Sequence, residues 1–318
     1  MTSTMNAVRA HHRGGPETLL YETAPRPEPR AGELLLAVRS ASITTGELDW
    51  DATWTDSFDG SGHDRLPVIP SHEVSGVVVG LGAGAEGFVV GESVYGLIPF
   101  TRDGAAAEYV AVPAEAVAPK PALVAHDHAA AVPLAGLTAW QGLVERAGIS
   151  PGQKVLVHGG AGGVGSFAVQ LAVALDADVV ATARGSDAEF VRGLGARRVL
   201  DYADGRFEEE LHDVDVVFDT VGPAAQSRSW QILRRGGVLV SVAAPPDQDR
   251  ARRQGVHAKF FVVEPDRDGL DALTALIETG RLRPQIDRVV PLKDAPAAYE
   301  ALDKEHRRGK IVLRVSEG

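Results

Sequence analysis

The stretch from Lys154 to Tyr202 constrains the fold more than any other part of the chain. It opens with the apolar run Val155-Leu156-Val157 and passes into Gly159-Gly160-Ala161-Gly162-Gly163-Val164-Gly165. Val164, Ala168, Leu171, Ala172 and Leu175 then recur on one helical face. A second β-type run, Val179-Val180-Ala181-Thr182-Ala183, follows. Strand, glycine turn, helix and strand therefore fall within about thirty residues, the setting a dinucleotide fingerprint requires.

Each glycine has its own reading. Gly160 lets the chain turn off the strand, Gly162 has no Cβ to keep a pyrophosphate away, and Gly165 lets the helix pack close to the sheet. The free N–H groups and positive end of the helix, at Gly163 and Val164, face the phosphates. The end of the second strand selects the cofactor. An NAD site carries Asp or Glu about twenty residues past the first glycine. Here the segment reads Ala181-Thr182-Ala183-Arg184-Gly185-Ser186, with Asp187 only after it. A carboxylate repels a 2′-phosphate, whereas a guanidinium binds it in bidentate fashion. These residues predict NADPH, with Arg184 as the main contact and Ser186 and Tyr202 as helpers.

The 318 residues suffice for two domains with a core each. A net charge of -11 argues against nucleic acid or an anionic membrane as partner. No signal peptide or membrane span is read, and the absence of cysteine excludes disulfides, thiolate nucleophiles and Cys-ligated zinc. A soluble, cytoplasmic protein with a small-molecule substrate is expected.

Residues 5 to about 120 read as all-β, in short strands divided by Gly- and Pro-rich turns, which suggests a small barrel. A polar loop with two tryptophans, Trp50 to Pro67, reads as a substrate lid. His126 to Ala147 is helical, with Pro133 as a break. Strands are predicted at Arg198-Leu200, Asp215-Phe218, Val238-Ser241 and Lys259-Val263, completing a six-stranded doubly wound sheet. A helix (Leu270–Glu278), a strand (Arg288–Leu292), a helix (Ala295–Asp303) and a last strand (Lys310–Val315) follow.

These residues add up to a family resemblance. The chain resembles the medium-chain dehydrogenase/reductase superfamily, in its zinc-independent quinone oxidoreductase-like branch. The likeness rests on Ser71-His72-Glu73-Val74-Ser75-Gly76, Gly91-Glu92-Ser93-Val94-Tyr95-Gly96, Ala131 to Ala139, Ala161 to Gly165, Leu194-Gly195-Ala196, Asp219-Thr220-Val221-Gly222 and Gly309-Lys310-Ile311-Val312-Leu313. It implies an α/β protein: a GroES-like β-barrel catalytic domain (1–123, rejoined by 265–318) and a Rossmann doubly wound parallel sheet (124–264) binding NADPH, with the active site in the cleft between them. It also implies a homodimer, for which the Lys259–Val263 run would supply the edge strand. His72-Glu73 is similar to the His-Glu pair of zinc alcohol dehydrogenases. The cysteine that should precede it is replaced by the segment Ser42-Ile43-Thr44-Thr45, so no metal site is expected.

Without a metal, the resemblance implies hydride transfer from NADPH to a quinone or to the β-carbon of an enone. Charge develops on the substrate carbonyl oxygen, so a donor aimed there helps. Thr44 and Thr45 are the candidates, with Asp49 behind them. The family also implies cofactor contacts at Thr138, at Val221 in the turn after the fourth strand, at Val242 and Ala243, and at Phe261, Val262 and Lys310. The competing readings are a zinc-type alcohol dehydrogenase and a non-catalytic NADPH-binding protein.

Overall fold

The computed structural model describes residues 3–203 and 205–316. They divide into two compact units: Met1–Leu134 with Glu264–Glu278 and Pro284–Gly318, and Ala135–Val263 with Thr279–Arg283. The first unit carries β1 (Thr4–Ala10), β2 (Leu19–Pro25), β3 (Glu33–Ile43), β4 (Glu73–Leu81), β5 (Ser93–Leu97), β6 (Tyr109–Pro113) and β7 (Val117–Pro119). The second holds β8 (Lys154–His158), β9 (Asp178–Ala183), β10 (Arg198–Asp201), β11 (Val214–Asp219), β12 (Leu233–Ser241) and β13 (His257–Phe260). The first unit then resumes with β14 (Ile286–Pro291) and β15 (Lys310–Arg314).

In the first unit the eleven-residue β3 organises the sheet. One of its edges pairs with β4 from Leu34 to Ser42. The other is shared: β6 takes Glu33 to Ala37 and β15 takes Ser40 to Ile43. Register shifts at Leu35/Leu36 and Val38/Ser40 bend the strand. Side chains alternate strictly along a strand, so Leu34, Leu36 and Val38 enter the core with Val8, Val74, Val94 and Ile98. Each such burial is worth about 1.5–3 kcal/mol.

The register also brings the far ends of the chain together. Ser42 faces Glu73, and Ile43 faces Ile311, both antiparallel. Residues next to these pairs, Thr44 just past the end of β3 and Lys310 at the start of β15, are therefore neighbours, with Glu73 on the adjoining strand.

The second unit is a parallel six-stranded sheet in the order β10-β9-β8-β11-β12-β13. Strands covered on both faces read as continuous apolar runs, and β8, β9 and β11 are buried along nearly their whole length. Leu156, Val180, Val217 and Leu239 form part of one core cluster with Trp230 and Phe207.

Local expectations change at several points. The strand β2 was not expected; the lid segment contains a helical turn, Asp51–Trp54, whose Trp54 is buried in the core. The helical stretch after His126 breaks at Pro133 as expected, into His126–Ala130 and Pro133–Trp140, but it continues as a wider π-type helix over Gln141–Ala147. Its first piece, and residues up to Leu134, fall with the first unit. The edge strand is His257–Phe260, so Phe261, Val262 and Val263 lie beyond it.

Candidate active site

The glycine turn divides its duties differently from the sequence reading. Gly159 makes the turn, with a φ of +74°. Gly160 serves packing, because a Cβ there would lie 2.9 Å from Ala181 Cβ. At Gly162 an added Cβ would meet nothing nearer than Gly159 O at 3.4 Å, so this face is open for a phosphate. At Gly165 it would lie 2.0 Å from Gly159 O, which only glycine permits. The helix Gly163–Ala174 starts without a side-chain cap, leaving the amides around Gly163 and Val164 to a ligand.

His158, absent from the sequence reading, clamps this turn from within. Its Nε2 lies 2.8 Å from Ser229 Oγ, which itself donates to Ala225 O, and its Nδ1 lies 3.0 Å from Thr182 Oγ1. The network assigns the proton to Nε2 and makes Nδ1 the acceptor. Burial pushes its pKa down to about 4, so it is neutral here. Thr220 Oγ1 donates to His158 O at 2.7 Å, linking the end of β8 to the end of β11.

At the end of β9, Arg184, Ser186 and Tyr202 are all exposed, and Arg184 Nε donates to Tyr202 Oη at 2.7 Å. The arginine and the tyrosine thus come together, at a surface open to solvent. Asp187 is buried instead. An acid the sequence reading passed over, Asp201 at the end of β10, approaches the same loop: a Cβ on Gly185 would lie 2.4 Å from its Oδ2.

Asp219 ends β11 fully buried, and its Oδ1 accepts the amides of Val221 at 2.9 Å and Gly222 at 3.0 Å. Its Oδ2 accepts Ser241 Oγ at 2.9 Å, and that serine in turn accepts the amide of Ala243 at 3.2 Å. One carboxylate therefore shapes the turns holding Val221 and, through Ser241, Val242 and Ala243, at the carboxyl edge of the sheet where ligands gather. Val221 and Ala243 are exposed and Val242 half-buried. Phe261 is buried with Arg146 over its ring at 5.6 Å, and Val262 is exposed. Thr138 is buried in the helix Pro133–Trp140.

The first unit holds a second constellation, around Thr44. The ammonium of Lys310 is paired with Glu73 and donates to Thr44 Oγ1 at 2.9 Å. Thr44 Oγ1 donates to Glu73 Oε2 at 3.3 Å, while Glu73 Oε1 accepts the Leu134 amide at 2.9 Å. Glu73 and Lys310 are 0% and 5% exposed, whereas Thr44 is half-buried. Lys310, expected on the cofactor, has its charge committed inside this unit. Thr45 is exposed and takes a hydrogen bond from Arg307.

Glu47 and Tyr299 are functional candidates that the sequence did not reveal. Glu47 accepts the amides of Ser71 at 2.6 Å and Thr44 at 2.9 Å, and the hydroxyl of Tyr299 at 2.9 Å. Burial pushes its pKa up to about 7, against the pull of those donors. Burial and the nearby Glu47 raise the Tyr299 phenol well above its ordinary range. Thr44, Glu47, Leu48 and Tyr299 border a small cleft with Gly15 and Pro16.

His72 is buried, with Nε2 3.1 Å from Arg102 O and its Nδ1 unpartnered. Burial lowers its pKa to about 4. The Phe100 ring meets it edge-on at 5.3 Å and meets Trp50 at 5.2 Å.

The strand order and the open glycine turn define a Rossmann-type dinucleotide-binding protein joined to a β-rich unit. Family models agree: residues 30–122 match the alcohol dehydrogenase GroES-like domain, and residues 194–313 match the zinc-binding dehydrogenase family. The chain is 30% identical over 335 residues to a protein of Arthroderma benhamiae named as a probable mitochondrial zinc-binding oxidoreductase, covering 99% of both chains. It is 34% identical over 258 residues to the chloroplastic NADPH-dependent alkenal/one oxidoreductase of Arabidopsis thaliana, covering 78% of this chain and 64% of that protein. The solved quinone oxidoreductase of Coxiella burnetii superposes with a TM-score of 0.89 at 29% identity, over 99% of this chain and 100% of that one. The chain belongs to the medium-chain dehydrogenase/reductase superfamily, in its quinone oxidoreductase-like branch.

Proposed function

We propose that the chain is an NADPH-dependent oxidoreductase that reduces a quinone or an α,β-unsaturated carbonyl without a catalytic metal. The observation that carries this reading is the Lys310 ammonium on Glu73. The carboxylate next to His72 is already neutralised by a side chain, so it has little attraction left for a cation. The remaining donors suit zinc poorly: His72 commits Nε2 to Arg102 O, the chain has no cysteine, and among the described residues no three His, Cys, Asp or Glu side chains cluster as a metal requires.

The cofactor assignment rests on the open face at Gly162, the uncapped helix after it, and the exposed Arg184–Tyr202 pair that suits a 2′-phosphate. When bound, the reduced nicotinamide supplies hydride. Gly162 and the first amides of the helix would hold the pyrophosphate, Val221, Val242 and Ala243 would serve the nicotinamide at the carboxyl edge of the sheet, and Thr44 would receive the carbonyl oxygen of the acceptor. The names of the Arabidopsis and Coxiella relatives support enones and quinones as the acceptor class.

The test is consumption of NADPH with a panel of quinones and enones, read beside metal analysis of the purified protein. Turnover at well under one zinc per chain, unaffected by chelator, supports the reading. Stoichiometric zinc lost together with activity overturns the metal-free part, and NADPH binding without turnover on any acceptor overturns the enzymatic part.

The proposal extends to a homodimer formed through the bare edge of β13, because unpaired edge strands invite a second copy. Light scattering should give about twice the 33.5 kDa chain mass. It extends also to a cytoplasmic setting. Among the described residues no helix is long and apolar enough to cross a membrane, and fractionation of the producing cells decides the compartment.

A further inference from the structure

We propose that Lys310 is a positioning residue for the reduction itself: through its bond to Thr44 Oγ1 it orients and polarises the hydroxyl that takes the substrate's carbonyl oxygen. The inference rests on the proposed reductase activity and assigns a role to a lysine that sequence reasoning placed on the cofactor.

A lysine ammonium only donates, so Thr44 Oγ1 accepts at the 2.9 Å contact and its own proton points elsewhere. The acceptor it finds is Glu73 Oε2 at 3.3 Å, long for an O–H···O bond, so this partner is readily exchanged for a better one. Thr44 is half-buried and can be reached by a ligand; Lys310 is 5% exposed and acts through it. Lys310 also cancels the charge of Glu73, which would otherwise repel negative charge growing beside Thr44.

The chemistry needs such a group. The β-carbon of an enone takes a hydride from the reduced nicotinamide, and the double-bond pair moves toward the carbonyl, leaving negative charge on its oxygen. A proton from water then ends on the α-carbon. The substrate gains two electrons and the nicotinamide loses two. A hydroxyl polarised by an ammonium, in a site that burial keeps low in dielectric, stabilises the oxyanion more than the starting carbonyl, which is what raises kcat.

The experiment compares Lys310→Met, Lys310→Arg, Thr44→Val and the Lys310→Met/Thr44→Val double variant, measuring kcat with an enone and NADPH Kd by fluorescence titration. Lys310→Met should lower kcat about 100-fold, the scale of a lost oxyanion donor, with NADPH Kd within about twofold of wild type. Lys310→Arg should recover most of the loss. Thr44→Val should lose as much, and the double variant no more than either, as a shared path requires. If Lys310→Met leaves Glu73 unpaired and fails to fold, Lys310→Met/Glu73→Gln removes both charges and carries the same comparison. Weakened NADPH binding at unchanged kcat would return Lys310 to the cofactor, and additive losses would separate it from Thr44; either overturns the inference. A wild-type protein inert toward every acceptor sinks the proposed function, and this inference with it. Wild-type turnover unaffected by both single variants sinks this inference alone.

Discussion

Glu47 accepts the backbone N–H of Ser71 at 2.6 Å, and Ser71 stands at a φ of +72°, in the left-handed region that side-chain-bearing residues rarely adopt. Such a conformation costs on the order of 1–3 kcal/mol and persists only where surroundings hold it. The Ser71 hydroxyl adds a bond to Ser42 O at 2.9 Å, on the strand that leads to Thr44. The same Glu47 carboxylate holds the Thr44 amide, so one buried acid joins the turn after β3 to the entry of β4, where His72 and Glu73 lie.

Glu47 should make stability depend on pH near neutrality. Burial raises its folded pKa to about 7 from an ordinary 4.5. A raised pKa gives stability that is fully present below the unfolded value and is lost as pH climbs through the folded one. The melting temperature of wild type, relative to that of Glu47→Gln, should therefore fall between about pH 4.5 and pH 7. A difference that stays flat across this window would contradict the buried, proton-holding carboxyl.

His158 and His72 act in the opposite sense. Burial lowers both from 6.5 to about 4. A neutral buried histidine gives stability that is present above the unfolded pKa and is lost as pH falls through the folded pKa. Thermal melts should show an acid loss beginning near pH 6.5 and continuing toward pH 4. His158→Asn should be less stable at neutral pH, having lost the Thr182 and Ser229 contacts, and should show a shallower acid slope. An unchanged slope would mean that His158 does not titrate in this range.

The fingerprint glycines should separate folding from binding. A Cβ at Gly165 would collide with Gly159 O at 2.0 Å, so Gly165→Ala should unfold several degrees earlier. At Gly162 the nearest atom would be 3.4 Å away, so Gly162→Ala should melt like wild type and yet bind NADPH at least tenfold more weakly, since its methyl fills the phosphate's approach. Equal affinity in Gly162→Ala would remove the pyrophosphate from this turn.

Cofactor choice should sit at Arg184. Arg184→Ala should raise KM for NADPH about tenfold or more and barely change KM for NADH, as a lost guanidinium–phosphate contact requires. Tyr202→Phe, which removes the hydroxyl that Arg184 Nε holds at 2.7 Å, should reproduce a smaller part of the effect. Identical losses for both cofactors would assign Arg184 to the loop alone and give weight to Asp201, the acid beside Gly185.

The sequence by itself determined the nucleotide unit. Strands buried on both faces write themselves as unbroken apolar runs, and a turn that excludes side chains writes itself as glycine, so β8, β9, β11 and the helix after Gly162 were legible locally. The missing strand-end acid and Arg184 were equally local. Less local features were not. The strand β2 escaped because Leu20 and Tyr21 are exposed on a ribbon paired only with β1, which breaks the alternation that marks a strand. The edge strand was placed a few residues late because Phe261 and Val263 are buried beyond the ladder, not by pairing within it.

Only the tertiary structure decided the site around Thr44. Nothing in Gly46-Glu47-Leu48-Asp49 distinguishes the buried acid from the exposed one two residues on. Its partners are the Ser71 amide, in the turn ahead of β4, and the Tyr299 hydroxyl, contributed from distant parts of the chain. Lys310 likewise has an ordinary place in its sequence. Its charge is committed because the antiparallel register of β15 on β3 sets it against Thr44, and that of β4 on β3 brings Glu73 to both. A charge's partner depends on which strands pair and in what register, and that is a property of the folded sheet, not of any window of residues.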